Sequence, residues 1–267
     1  MLSIQRKIMG LTLAVLICGG ATAGEVEEQG RAILEKNKAA VVTVQLVIKE
    51  KFAMNGMANE GESKQEATGT VISPEGLTIL SLIATDPTTM YESMGMGDDF
   101  QVDSELTSVN ILTEDGGEIA AEIILRDTVL DLAYLRPVKK PETAMAYVDL
   151  AQAGEVDVLD RVITINRLGR VAKRIHGASF ERIVAKVTKP RTFYIPGSDP
   201  SSTALGSPAF TMDGKIVGIF VLRMIKANGG GGSMFGGMDN VSSIICTAED
   251  ILEGVEQVPP YEAEKSE

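Results

Sequence analysis

Between residues 41 and 221 the chain is a series of short β-branched runs broken by turn residues, with no long amphipathic helix between them. That pattern restricts the fold to an all-β barrel or sandwich. The runs lie at 41–48, 69–72, 77–80, 109–112, 120–125 and 132–135, and they resume after Pro137 and Pro141 at 161–165, 182–187 and 215–221. Pro74-Glu75-Gly76, Asp115-Gly116-Gly117 and Met212-Asp213-Gly214 supply turns. The proline-marked restart predicts two β-barrels, residues 41–138 and 139–258. A short N-terminal helix at 24–40 precedes them, and a charged tail at 259–267 follows. Three stretches read as irregular. Residues 51–67 and 86–105 are polar and carry Met54, Met57, Met90, Met94 and Met96, and 227–237 holds four consecutive glycines. That glycine run lacks the following Lys-Ser/Thr of a phosphate cradle.

Residues 1–23 read as a secretory signal. Arg6 and Lys7 form a positive start, residues 8–18 are apolar but too short to span a bilayer, and Ala21-Thr22-Ala23 offers a small-x-small cleavage site. Cleavage after Ala23 predicts an exported protein, periplasmic or secreted, with a membrane association only if the segment is retained. Lipid attachment at Cys18 fits less well, because Ile17 is bulky. Cleavage removes Cys18 and leaves Cys246 as the remaining thiol of the chain's two cysteines, so no internal disulfide forms. Cys246 sits in the apolar run Ser243-Ile244-Ile245-Cys246 and reads as a buried structural thiol.

Composition narrows the chemistry. With one histidine and two cysteines, neither a multi-histidine nor a four-thiolate metal site can be built, and no cofactor or metal is expected. Asp98, Asp99, Asp103 and Glu105 cluster in one stretch, but their spacing is not that of a calcium loop, and a solvated acidic loop is expected. Thirty-seven Asp and Glu against 25 Lys and Arg argue against nucleic acid as a partner. A Ser-His-Asp or Cys-His machinery would have to use His176.

Four passages carry a family resemblance. Thr68-Gly69-Thr70-Val71-Ile72-Ser73-Pro74-Glu75-Gly76 is similar to a G-S-G-hydrophobic-hydrophobic-S-x-D-G motif. Asp115-Gly116, Ala120-Ala121-Glu122 and Arg126-Asp127-Thr128-Val129-Leu130-Asp131-Leu132-Ala133-Tyr134-Leu135 follow D-G…A-x-V…R-D-x-x-x-D-L-A-x-L. Ser207-Pro208-Ala209-Phe210-Thr211-Met212-Asp213-Gly214-Lys215-Ile216-Val217-Gly218-Ile219 and Ile244-Ile245-Cys246-Thr247-Ala248-Glu249-Asp250-Ile251 complete the series. In this order they resemble the trypsin-like serine protease domain of the HtrA (Deg) family. The resemblance implies two six-stranded barrels with the active site in the cleft between them.

It also implies what is missing. Ile83 stands where the family has its histidine, Leu205 where it has the nucleophilic serine, and of the triad only Asp131 matches. The oxyanion donors would be the backbone N–H groups of Thr203 and Leu205, and a β-branched residue replaces the family's glycine at Thr203. No residue is therefore expected to be catalytic. Ser207, two positions late and preceding Pro208, is the fallback nucleophile but has no adjacent base. His176 falls in the second barrel, whereas the family's imidazole comes from the first, and it reads as a surface or turn histidine.

The resulting expectation is an exported, HtrA-like pseudoprotease that binds a polypeptide or protein partner in the interbarrel cleft. The alternative is an active serine endopeptidase using Ser207. A cleft closed by Ile83 packing on Leu205 would leave the fold with no peptide site. The family's peptide-binding PDZ domain has no counterpart before Glu267. The 24–40 helix is a candidate element for a homo-oligomer.

Overall fold

The computed structural model describes residues 23–54, 57–86, 88, 100–113, 116–198, 204–224 and 241–261. Residues 1–22, with the signal and Cys18, lie outside this set, as do the glycine run and Met90, Met94 and Met96.

Helix α1 (Ala23–Asn37) leads through a 3₁₀ turn, Lys38–Ala40, into the first barrel. The barrel's strands are β1 (Val41–Met54), β2 (Met57–Val71), β3 (Thr78–Ser81), β4 (Phe100–Leu112), β5 (Glu118–Asp127) and β6 (Leu132–Pro137). The second barrel comprises β7 (Arg161–Arg167), β8 (His176–Val187), β9 (Phe193–Pro196), β10 (Pro208–Thr211), β11 (Ile216–Met224) and β12 (Val241–Thr247), followed by α2 (Ala248–Val255). Both sheets close antiparallel, in the orders β1-β2-β3-β6-β5-β4 and β10-β11-β12-β9-β8-β7. The two-barrel expectation therefore holds, with one short N-terminal helix. Among the described residues no helix is long and apolar enough to cross a membrane.

Strand alternation divides the core into three clusters, because successive side chains point to opposite faces. Leu80, Ala133 and Leu135 point into the first barrel with Val44 and Leu46. Val162, Ala209, Val217, Phe220 and Ile245 fill the second. The intervening residues Ile79, Leu132, Tyr134, Ile163, Phe210, Ile219 and Cys246 point outward and join with Ile33 of α1 and Ile251 of α2 in a third cluster. This is why β6 and β10 are buried along their whole length rather than on alternate residues. The Cys246 thiol is buried, and desolvation pushes its pKa up, away from reactivity.

Two expectations need correction. Much of 51–67, read as a loop from its polarity, is strand: β1 and β2 stay paired from Val41↔Thr70 out to Met54↔Met57. Phe100 onward, also read as loop, is β4, paired with β1 as far as Met54↔Phe100. The polarity misleads because strand pairing in this hairpin does not depend on an alternating apolar face. Its residues pair by charge instead: Lys49 lies opposite Glu62 and Glu105, and Lys51 opposite Glu60 and Asp103. Asp103 and Glu105 are thus ladder residues, while Asp98 and Asp99 lie outside the described residues. The start of the tail also packs back: the Tyr261 hydroxyl donates to the carbonyls of Glu75 (3.2 Å) and Pro137 (3.1 Å) beneath the Arg136 guanidinium.

Candidate functional site

Asp131 reaches the interbarrel region through a tight turn after β5. The Asp127 side chain builds that turn, Oδ1 accepting from the N–H groups of Val129 (2.9 Å) and Leu130 (3.0 Å). Asp131 itself has φ +56°, an uncommon conformation for a residue with a side chain. Its carboxylate accepts three hydrogen bonds: from Ser81 Oγ, from Ile83 N–H (3.1 Å) and from Leu222 N–H (2.9 Å). The first two donors come from the first barrel and the third from β11, so Asp131 bridges the barrels. All three donors are neutral. Burial consequently dominates and pushes the carboxyl up to about 6, against the downward pull of Ser81, Leu222 and Ile83.

Ile83 follows β3 in the 3₁₀ turn Leu82–Ala84 and offers Asp131 only its backbone. Leu205 sits in the turn before β10. Both side chains are half-buried, and neither joins the three core clusters. Among the described residues nothing accepts from the Leu205 N–H, leaving it as a backbone donor at the position expected for the nucleophile. Thr203, its expected companion in the oxyanion hole, lies outside the described residues. The turn is fixed by Gly206, at φ +89°: its N–H donates to Phe220 O (2.7 Å) and its carbonyl accepts from Thr70 Oγ1 (2.7 Å) of the first barrel.

Ser207 is fully buried, and its Oγ has no hydrogen-bond partner. The fallback nucleophile therefore touches neither an imidazole nor a carboxylate. His176, expected on the surface or in a turn, is instead half-buried at the start of β8, against the first barrel. Its Nε2 lies 3.0 Å from Val41 O and 2.8 Å from Arg167 Nη1, which is 3.2 Å from Nδ1. Those partners make it a barrel-to-barrel tie, remote in bonding from Asp131.

Sequence reasoning missed Ser81 and Leu222. Ser81 stands two residues before the Ile83 position and was legible in principle. The Leu222 donor is a peptide N–H, which no residue identity announces.

Beside this cluster β11 has an edge that no described strand covers. Its pairing with β10 ends at Pro208↔Ile219, whereas its pairing with β12 continues to Met224↔Val241. The N–H groups of Phe220 and Leu222 point away from β12, to Ser207 O and Asp131. By alternation, the Leu222 carbonyl and both backbone groups of Met224 face the same way, where no described strand pairs with them.

A protein-family model described as Trypsin-like peptidase domain matches residues 67–219, more than half of the chain. No curated protein matches it.

Proposed function

The chain belongs to the trypsin-like peptidase domain family, and from that premise we propose that it is an exported, HtrA-like member that has lost proteolysis and binds an extended polypeptide in the interbarrel cleft. One observation carries the reading: Ile83 meets Asp131 through its peptide N–H and brings no imidazole. A serine protease needs that imidazole to take the nucleophile's proton. At the serine position Leu205 offers no hydroxyl, and the Ser207 hydroxyl is buried.

Binding needs less than turnover does. This edge of β11 can accept an extended chain by strand addition, main-chain hydrogen bonds giving affinity and flanking side chains giving selectivity. The half-buried side chains of Ile83 and Leu205 supply apolar surface beside it, and the Leu205 N–H, without an acceptor among the described residues, supplies a donor for a bound carbonyl. Export rests on residues 1–23, and a mature chain beginning at Gly24 by mass spectrometry is the expected product.

Titrating the purified protein with fluorescent, reduced and carboxymethylated lactalbumin tests the proposal. Saturable binding is expected, with no cleavage of casein and no fluorophosphonate labelling. Met224→Pro removes one edge donor while keeping the β12 pairing, and is expected to weaken binding. Cleavage above a buffer blank overturns the loss of proteolysis; absence of binding, or binding indifferent to Met224→Pro, overturns the cleft edge as the site.

A further inference from the structure

The charges of this acidic chain are segregated. Residues 161–191 hold nine Lys and Arg against a single Glu, while the remainder holds sixteen Lys and Arg against thirty-six Asp and Glu. The basic stretch is the β7–β8 hairpin and the loop that follows it, on the second barrel. Where β7 begins, Arg161 and Arg182 lie directly opposite each other across the two strands, both exposed. Like charges in that register repel, and among the described residues neither arginine has an ion-pair partner.

Apolar side chains surround this pair. Leu159 is 65% exposed, Val158 45% and Val184 47%. Leu159 stands at φ +77°, a conformation that side-chain-bearing residues rarely adopt. Backbone bonds from Leu159 N–H to Ile183 O (2.7 Å) and from Ile183 N–H to Asp160 O (3.0 Å) lock the turn to β8. The fold therefore holds a leucine outward in a strained turn beside two unpaired arginines, with no benefit to its own core.

The complementary chemistry is on α2. Glu249, Leu252, Glu253 and Glu256 follow helical spacing, and all four are exposed, so they form one outward face with an apolar centre and an acidic rim. Glu253 has Arg191 as a partner; Glu249 and Glu256 have no ion pair among the described residues. Glu253 and Glu256 also crowd the C-terminal end of the helix, where its dipole disfavours negative charge and a cation would relieve it. The two faces belong to the same end of the second barrel. A cavity of about 200 Å³ beside the start of α2 is lined by Glu155, Lys186, Tyr194 and Glu249.

We propose that this end of the second barrel is a self-association surface, on which Arg161, Arg182 and Leu159 of one copy receive the Glu249–Leu252–Glu256 face of a second, in a two-fold dimer. A two-fold axis uses both faces of each copy at once, so two equal contacts form and no acidic or basic face is left over. The occupant is a second copy because the chain itself carries both halves of the charge and apolar pattern. The inference is independent of the cleft and of what binds there.

Sedimentation velocity on the purified protein tests it. A concentration-dependent dimer is expected in about 50 mM salt, weakened about tenfold or more at about 500 mM. Arg161→Glu with Arg182→Glu, and separately Glu249→Arg with Glu256→Arg, should each be monomeric, while an equimolar mixture of the two variants should dimerise. Should a charge reversal fail to give the wild-type circular dichroism spectrum, Arg161→Ser with Arg182→Ser is expected to lose the dimer without introducing new charge. A wild-type protein that stays monomeric at about 100 μM, neutral or reversed variants that dimerise like wild type, or a mixture of folded variants that stays monomeric would each overturn the proposal.

Discussion

Asp131 Oδ1 accepts a hydrogen bond from the Ile83 N–H at 3.1 Å, so Ile83 meets the aspartate with its backbone. On the proposed reading, Asp131 would support an imidazole at residue 83, where the chain has isoleucine. Ile83→His combined with Leu205→Ser is expected to gain fluorophosphonate reactivity about a hundredfold above either single variant, the low end of what general-base assistance contributes. Labelling rates followed by intact-protein mass spectrometry check this. A double variant no faster than its singles would count against Ile83 and Leu205 as the positions that decide activity.

Asp131 also has an unusual pH signature. Burial raises its carboxyl to about 6 from an ordinary value of 3.8, so the folded state holds this proton more tightly than the unfolded chain. Its contribution to stability is fully present below about pH 4 and is lost as pH rises through 6, the reverse of ordinary acid denaturation. Asp131→Asn removes the titration. The stability advantage of wild type over Asp131→Asn is therefore expected to shrink between pH 4 and 7, by up to about 3 kcal/mol for a shift of about two pH units. Urea midpoints across that range provide the measurement.

Glu66 behaves oppositely. Its carboxylate on β2 accepts from Arg174 Nε (3.0 Å) and Nη2 (2.8 Å) and from Arg170 Nε (2.8 Å), tying the first barrel to the β7–β8 loop. Arg174 and Lys173, both at positive φ, are held in place by this clamp. The Arg174 guanidinium holds the Glu66 carboxyl below its usual range, so its stabilisation is present above the ordinary value of 4.5 and lost as pH falls through the lowered one. Glu66→Gln is expected to cost about 1 kcal/mol at pH 7, a modest figure because Arg170 and Arg174 reach solvent. The difference from wild type should vanish in strong acid.

Gly206 is where the second barrel's turn passes closest to the first. It combines φ +89° with a Cβ direction aimed into the Thr68 carbonyl and the Leu80 backbone, neither of which can swing aside. Gly206→Ala is expected to lower stability by about 3 kcal/mol or more, read as a drop in Tm, with Asp131's network disturbed alongside.

The parts of this fold that announce themselves in sequence are those whose residues face a core. Val44 and Leu46, or Ile163 and Ile165, alternate or run together because barrel walls are apolar, so their strands and the two-barrel division were readable. The hairpin beyond Ile48 was not, because Lys49 and Lys51 face no apolar cluster and are matched only by residues distant in sequence. The site divides the same way. Ile83, Asp131 and Leu205 are visible through motif order. His176's tie to Val41 and Leu222's donation to Asp131 each join a side chain of one barrel to a peptide group of the other, which local pattern does not encode.

Ser207 separates the two readings of this family member. Its hydroxyl is fully enclosed with no partner, and an unsatisfied buried polar group costs about 1–3 kcal/mol. Ser207→Ala keeps the backbone bond from Phe220 N–H to the residue 207 carbonyl, 2.9 Å in the parent, and removes only the stranded oxygen. The variant is therefore expected to be as stable as the parent or about 1 kcal/mol more so, with polypeptide binding unchanged. An endopeptidase relying on Ser207 demands the contrary: a casein-cleaving parent whose activity falls by orders of magnitude in the alanine variant. Urea melts and casein turnover on the same two preparations decide between them, since stability gained with nothing catalytic lost fits only a serine that packs badly and does no chemistry.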